Sequence, residues 1–431
     1  MKMLLKNGNI VFGDKVQKGD LVLENGKIAF AGGTYSDSTD KIYDVSGKMV
    51  LPGLIDMHTH LRDPGLEYKE DIISGSRSAV AGGFTAIACM PNTRPVLDNP
   101  ALIAYIKYKS KENGLCKVLP IGTVTKGQKG EALAELRLMN DQGAVAFSDD
   151  GYPVSTAQML RLALEYTKDF DGLIISHCED RSLTDGGYVN EGKNASLAGL
   201  KGISRASEDV GTARDLIVAN TMNARIHIAH VSTSGAVELI RYFKSKGVKV
   251  TAETCPQYFL ATDKEILEFN TFAKVNPPLR EESDNIAILE GIKDRTIDVL
   301  VTDHAPHHID EKRVDFSEAA FGSIGLESAV GLNTRLIEKG ILDWTGLAKL
   351  MSTNPAHILK LHETGEIKTG YTADITVIDP DIKYVFDAKK TFSKSHNSLF
   401  DGWKLKGKTT MTIIDGQVVY NNSIITPFGK D

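Results

Sequence analysis

The 431-residue sequence has only four cysteines, Cys89, Cys116, Cys178 and Cys255. None forms a CxxC pair, and so few in so long a chain make no disulfide framework. A reducing cytoplasm is therefore the expected location. Long apolar runs are also missing. No stretch approaches ~18 uninterrupted apolar residues, so no membrane span is expected. Met1–Ile10 carries two lysines but no apolar core or small-residue cleavage site of a secretory signal. A basic excess is lacking as well: 50 Lys+Arg against 56 Asp+Glu leave a formal charge of −6. That excludes nucleic-acid binding by bulk charge. There is no internal repeat and no low-complexity segment. What remains is an ordinary globular composition, 42% hydrophobic and 25% charged, which excludes a disordered chain.

The two ends read alike. Asn9–Phe12, Asp20–Leu23 and Lys27–Phe30 are short apolar segments between the turn signals Asn7-Gly8, Gly13-Asp14, Asn25-Gly26 and Gly32-Gly33. Ala373–Ile378 and Thr409–Ile414 repeat the style, and Asp415-Gly416 predicts a hairpin turn before Gln417–Tyr420. Neither end is long enough to bury a core comfortably alone, so residues 1–50 and 365–431 are expected to pair as one composite β-sandwich domain. Between them, residues 51–364 alternate short strands with helical patterns. The eight predicted strands are Leu54–His60, Phe84–Met90, Lys117–Gly122, Ala144–Ser148, Leu173–His177, Ala224–His230, Val248–Glu253 and Asp298–Val301. Amphipathic stretches such as Lys69–Ala81, Leu97–Lys111 and Ser207–Ala219 separate them. The fold class is α/β, a (β/α)8 TIM-type barrel. An open doubly wound sheet is the alternative, but no GxGxxG follows the first strand.

Residues of one parity on a strand share a face. Leu54, Asp56, His58 and His60 form one such row. Leu173, Ile175 and His177 form a second, Ile226, Ile228 and His230 a third, and Val299, Val301 and Asp303 a fourth. Ala144, Ala146, Ser148 and Asp150 form a fifth if that strand continues. Each row ends in a metal-capable residue at the C-terminal end of its strand, where barrel enzymes build their active sites. A lone strand-end histidine is usually structural. Five strands delivering His or Asp at one level are not explained that way, because polar groups buried without partners cost about 1–3 kcal/mol each. His58, His60, Asp150, His177, His230 and Asp303 offer imidazole and carboxylate without thiolate, which suits catalytic Zn2+. Six ligands are too many for one tetrahedral zinc with an open position, so two ions sharing a bridging carboxylate are favoured over one. Zinc lowers the pKa of bound water toward ~7, which points to metal-assisted hydrolysis. His227 has the opposite parity to His230 and is expected to face the helix layer. His304, His308, His362 and His396 have no assigned role, and Cys178 and Cys255 read as packing residues.

The segment from Leu51 to His60, LPGLIDMHTH, resembles the first-strand signature of the amidohydrolase superfamily. Along essentially the full chain the resemblance is to class I dihydroorotases. It is carried by HTHLRDPG from His58, FTAIACMPNT from Phe84, FSDDG from Phe147 and SHCE from Ser176. Further segments are HIAHVST from His227, ETCP from Glu253, KVNPPL from Lys274, TDHAPH from Thr302 and FGSIGLE from Phe321. The resemblance implies one zinc on His58, His60 and Asp303, a second on His177 and His230, and Asp150 as the bridge. Many relatives place a carboxylated lysine at the bridge. Ala144–Gly151 contains no lysine, which leaves Asp150 or Asp149, and parity favours Asp150.

The resemblance also implies that Arg62, Asn92 and His307 bind the dihydroorotate carboxylate. Asn276 and the backbone of Phe321 and Gly322 would contact the ring amides. Without the neighbouring ligands, Arg62 would read as a surface ion pair with Asp63 or Glu67. The implied reaction is reversible hydrolysis of the cyclic amide of L-dihydroorotate to N-carbamoyl-L-aspartate in pyrimidine biosynthesis, with Asp303 moving the proton. Alternatives are another cyclic amidase (hydantoinase, dihydropyrimidinase or allantoinase) or a non-catalytic scaffold for a transcarbamoylase. The resemblance also implies a homodimer, with association with a transcarbamoylase as a further partner to test.

Overall fold

A computed structural model describes residues 1–427. Eight strands form one parallel sheet: Leu54–Thr59, Phe84–Cys89, Lys117–Gly122, Ala146–Phe147, Ile174–Ser176, Ile226–Ile228, Val250–Thr254 and Val299–Leu300. They follow one another in chain order, and each predicted strand contains or overlaps one of them. The last returns to the first through a bridge between Thr59 and His304, where the His60 N–H donates to the His304 carbonyl at 2.8 Å. Asp56 fastens the same seam. Its carboxylate accepts from the Thr302 hydroxyl at 2.5 Å and from the His58 N–H at 3.0 Å. The sheet is thereby a near-closed barrel.

Helices cover the outside of the barrel. Ile72–Gly82 begins where Asp71 accepts from the Ser74 N–H at 2.8 Å, and ends at left-handed Gly83. Pro100–Asn113 is capped by Asn99 and carries its proline at the first position, where no N–H is needed. Ile226 and Ile228 pack with Leu216, Ala219, Val237 and Ile240 of the flanking helices. Ile175, Ala229, Val299 and Val301 belong to a separate inner cluster.

The two ends of the chain meet in one further sheet. Ile375–Val385 runs antiparallel to Met49–Pro52, placing Val377 opposite Val50. Lys2–Val11 and Val16–Glu24 extend the sheet on one side, Lys404–Ile414 and Gln417–Asn421 on the other. Met3, Leu5, Ile10, Leu23, Val50, Ile375, Val377 and Ile413 share its core. Lys117, at the start of the third barrel strand, ties the two sheets together by pairing with Asp374 at 2.7 Å and Asp415 at 2.8 Å. Among the described residues, no helix is long and apolar enough to cross a membrane.

Candidate active site

The strands bring their polar ends to one mouth of the barrel. His58, His60 and Asp150 present donor atoms within 4.8 Å of one another, and so do Asp150, His177 and His230. Asp150 belongs to both groups. Its Oδ1 lies 3.5 Å from His58, 3.7 Å from His177 and 3.4 Å from His230, and its Oδ2 lies 3.5 Å from His60. The Asp303 Oδ1 stands 3.2 Å from His60 and 3.5 Å from His58. The adjacent Asp149 turns away. It accepts from the Val124 and Thr125 N–H groups at 2.9 and 3.1 Å and from the Thr125 hydroxyl at 2.5 Å.

These groups fit a cation. His58 Nε2 and Asp150 Oδ1, 3.5 Å apart, are buried and have no hydrogen-bond partner in the protein. Unpartnered buried polar atoms that converge on one point are costly unless an ion completes them. The electrostatics agree. Burial alone would lower the His58 pKa, but the carboxylates of Asp150, Glu253 and Asp303 raise it well above its ordinary value. Burial would raise Asp150, yet the surrounding imidazoles hold it well below the carboxylate range. Asp303 is also held low, with His58 and His60 outweighing its burial. Negative charge at the mouth thus calls for a cation, and imidazole with carboxylate suits zinc.

Beside the cluster is a cavity of about 500 Å³, lined by His60, Arg62, Asn92, Asp150, His177, His230, Asn276, Asp303, His307, Phe321 and Gly322 among others. His58 lies beneath it, fully buried. Arg62 leaves the strand in a left-handed conformation and is itself buried. Its Nε donates to the Pro306 carbonyl and its Nη2 to His307 Nε2, each at 3.2 Å. Its sequence neighbours are engaged elsewhere, Asp63 with Lys109 at 2.5 Å and Glu67 with the Gly65 N–H at 2.8 Å. The Asn92 carbonyl faces His60 Nδ1 at 2.9 Å, which leaves its amide NH2 for the cavity. The Asn276 NH2 donates to Glu179 at 3.2 Å.

Three features differ from the sequence expectations. The Gly322 backbone is already committed: its N–H donates to the Lys274 carbonyl at 2.9 Å, and its carbonyl accepts from Asn397 at 3.0 Å and Lys312 at 3.1 Å. Gly322 is required there for another reason. At φ 145° an added Cβ would lie 2.7 Å from the Ala305 carbonyl oxygen and 3.0 Å from the His307 ring.

The second difference is His227, which does not face the helices. It pairs in register with Ile175 of the inner cluster and with Thr251, so it points into the barrel. Ile226 and Ile228 point outward, and parity fails at His230 because the strand ends at Ile228 and His230 adopts φ 34°.

The third is Glu253, to which the sequence reading gave no role. It accepts from His58 Nδ1 at 2.6 Å and from His227 Nε2 at 3.0 Å. Those histidines draw its pKa down to about 2 against its burial. The bond to Nδ1 leaves His58 Nε2 free to face the cluster, as outer carboxylates do for metal-binding histidines. A carboxylate at the C-terminal end of a predicted barrel strand was the available signal.

A near-closed barrel carrying a buried His/Asp cluster at its C-terminal mouth defines a metal-dependent hydrolase of cyclic amides, the class to which the matched proteins belong. A model of Dihydro-orotase-like proteins matches residues 47–236, and an Amidohydrolase family model matches residues 316–420. The dihydroorotase of Pelobacter propionicus is 51% identical over 423 residues, 97% of this chain and 100% of that protein. That of Acetivibrio thermocellus is 49% identical over 98% of this chain and 100% of its own. Among solved structures, L-hydantoinase (dihydropyrimidinase) from Arthrobacter aurescens superposes with a TM-score of 0.90 at 26% identity, over 98% of this chain and 97% of that one. The chain belongs to the dihydroorotase family of the amidohydrolase superfamily.

Proposed function

We propose that this protein hydrolyses the ring amide of L-dihydroorotate reversibly, giving N-carbamoyl-L-aspartate, and that it works in pyrimidine biosynthesis in the direction of ring closure. The observation that carries this reading is Arg62, a buried guanidinium on the cavity wall next to the His/Asp cluster. A desolvated cation there matches a substrate carboxylate. Identity near 50% to dihydroorotases, against 26% to a hydantoinase, supports the same choice.

His58, His60 and Asp303 would hold one zinc, His177 and His230 a second, with Asp150 between them. Zinc bound there supplies a Lewis acid for the amide carbonyl and a water that ionises near neutral pH. Asp303, ionised and on the cavity wall, takes a proton from the attacking water and delivers it to the ring nitrogen as the C–N bond breaks. Arg62 and the Asn92 amide hold the carboxylate, so the scissile bond presents itself to Asp303. Asn276 and the Phe321 backbone contact the ring. The barrel, residues 51–364, carries the chemistry, and the composite domain braces it. Buried, unpaired cysteines fit a cytoplasmic enzyme, and we extend the reading to a homodimer.

The test is turnover of dihydroorotate beside hydantoin and allantoin, with and without added zinc. Zinc-dependent turnover of dihydroorotate in preference to the other two is expected. Preference for hydantoin or allantoin contradicts the assignment, and absence of both turnover and stoichiometric zinc would indicate a scaffold.

A further inference from the structure

The helix Ala206–Met222 lies against both segments that supply the second pair of histidines. On the His177 side, Gly211 packs so closely that an added Cβ would lie 2.6 Å from the Glu179 backbone nitrogen. Ser207 closes the same contact twice. Its carbonyl accepts from the Asp180 N–H at 2.8 Å, and its hydroxyl donates to the Asp180 carbonyl at 2.9 Å. One turn after Gly211, Asp215 accepts from the Ser176 hydroxyl.

On the His230 side a carboxylate does the holding. The strand Ile226–Ile228 is over before His230, which sits at φ 34°. The Ala229 and Val231 N–H groups still reach neighbouring strands, donating to the Ser176 carbonyl at 3.0 Å and the Glu253 carbonyl at 2.8 Å. The next two N–H groups turn instead to Glu208. Its Oε1 accepts from Ser232 at 2.7 Å and from Thr233 at 3.1 Å, and its Oε2 accepts from the Ser232 hydroxyl. Glu208, Ser232 and Thr233 are all buried. A buried carboxylate needs a countercharge, and Arg280 supplies it. Arg280 Nη2 donates to Glu208 Oε2 at 3.2 Å, Nε to the Ser232 hydroxyl oxygen at 3.0 Å and Nη1 to the Asn190 side-chain carbonyl at 3.0 Å. Arg280 is itself buried and comes from the loop that carries Asn276. These contacts involve none of His58, His60 and Asp303, which hang from the seam that Asp56 fastens.

We propose that Glu208, braced by Arg280, is a positioning residue for the second metal ion alone: it fixes the turn after the sixth barrel strand so that His230 meets His177 on one cation. Its carboxylate is spent on the loop and on Arg280, so it is not itself a ligand. The inference rests on the two-ion reading of the cluster.

The test is zinc binding by full-length protein stripped of metal and titrated in competition with a chromophoric chelator. Two binding steps are expected in the wild type. Glu208→Gln keeps the length and one acceptor oxygen but turns an NH2 toward the Arg280 guanidinium, donor against donor. One step should then weaken about tenfold, the scale for groups that orient a metal ligand, while the other stays within about twofold. His230→Ala, which removes a ligand outright, identifies the affected step as that of the second ion. Arg280→Lys, whose single ammonium cannot span three acceptors, should weaken the same step about threefold. Lys117→Met breaks an ion pair at the opposite end of the barrel and serves as the control for lost stability; both steps should stay unchanged. Equal weakening of both steps, weakening of neither, or the same loss in Lys117→Met overturns the proposal. If Glu208→Gln does not fold, the Arg280→Lys result decides. Wild-type protein with fewer than two steps fails the two-ion reading itself, and the proposal with it.

Discussion

Two halves of the cavity are built on opposite terms. On the cluster side, His58 and Asp150 aim buried polar atoms inward with no protein partner. On the wall side, Arg62, His307, Glu311 and Lys69 satisfy one another in a chain of hydrogen bonds. The first half is incomplete without a cation. The second is held together by its own hydrogen bonds. Metal affinity and reactivity should therefore respond to changes on one side, and selectivity for a carboxylate to changes on the other.

The comparison can be broken most sharply at Asp303. Asp303→Asn should lower kcat by about 10²–10⁴-fold, the range for a lost proton-transfer group, with the melting temperature nearly unchanged. Normal turnover in that variant would remove Asp303 from the mechanism. On the wall, Arg62→Ala should raise KM for dihydroorotate by about 10–100-fold through the loss of charge-assisted bonds. The effect on dihydrouracil, the same ring without the carboxylate, should be much smaller; equal effects would show that Arg62 does not read that group. Behind the cluster, Glu253→Gln should weaken zinc binding by about 10-fold, measured by competition with a chelator, while KM for dihydroorotate stays close to wild type.

The smallest effect concerns pH. His307 has a folded pKa of about 3 against an ordinary 6.5. Between those values the unfolded chain binds the extra proton, so stability is fully present above pH 6.5 and falls as the pH drops toward 3, by at most about 1.4 kcal/mol per pH unit. His307→Gln should flatten that part of the stability profile in denaturant titrations, and an unaltered slope would show that the ring is not held neutral.

Much of the architecture was legible because alternation and turn chemistry are local. Lys117–Gly122 matches its predicted strand end for end, and Asp415-Gly416 does turn the hairpin into Gln417–Asn421. Parity carried less far. Strands inside a barrel are short, and His230 and Asp303 sit just beyond theirs at positive φ, where the two-residue repeat no longer fixes a side chain's direction. Parity therefore misplaced His227, although it separated Asp150 from Asp149. The partners of Glu253, Lys69 and Glu311 were not legible, because they lie far away in sequence or across a loop. The commitment of the Gly322 N–H to Lys274 was equally hidden.

Elemental analysis of the purified, full-length protein tests the central claim most directly. The two donor groups sharing Asp150 predict two zinc ions per chain, removed together with dihydroorotate turnover by chelation and restored with it on adding zinc. Protein that contains no metal and turns over dihydroorotate undiminished in chelator would contradict the account.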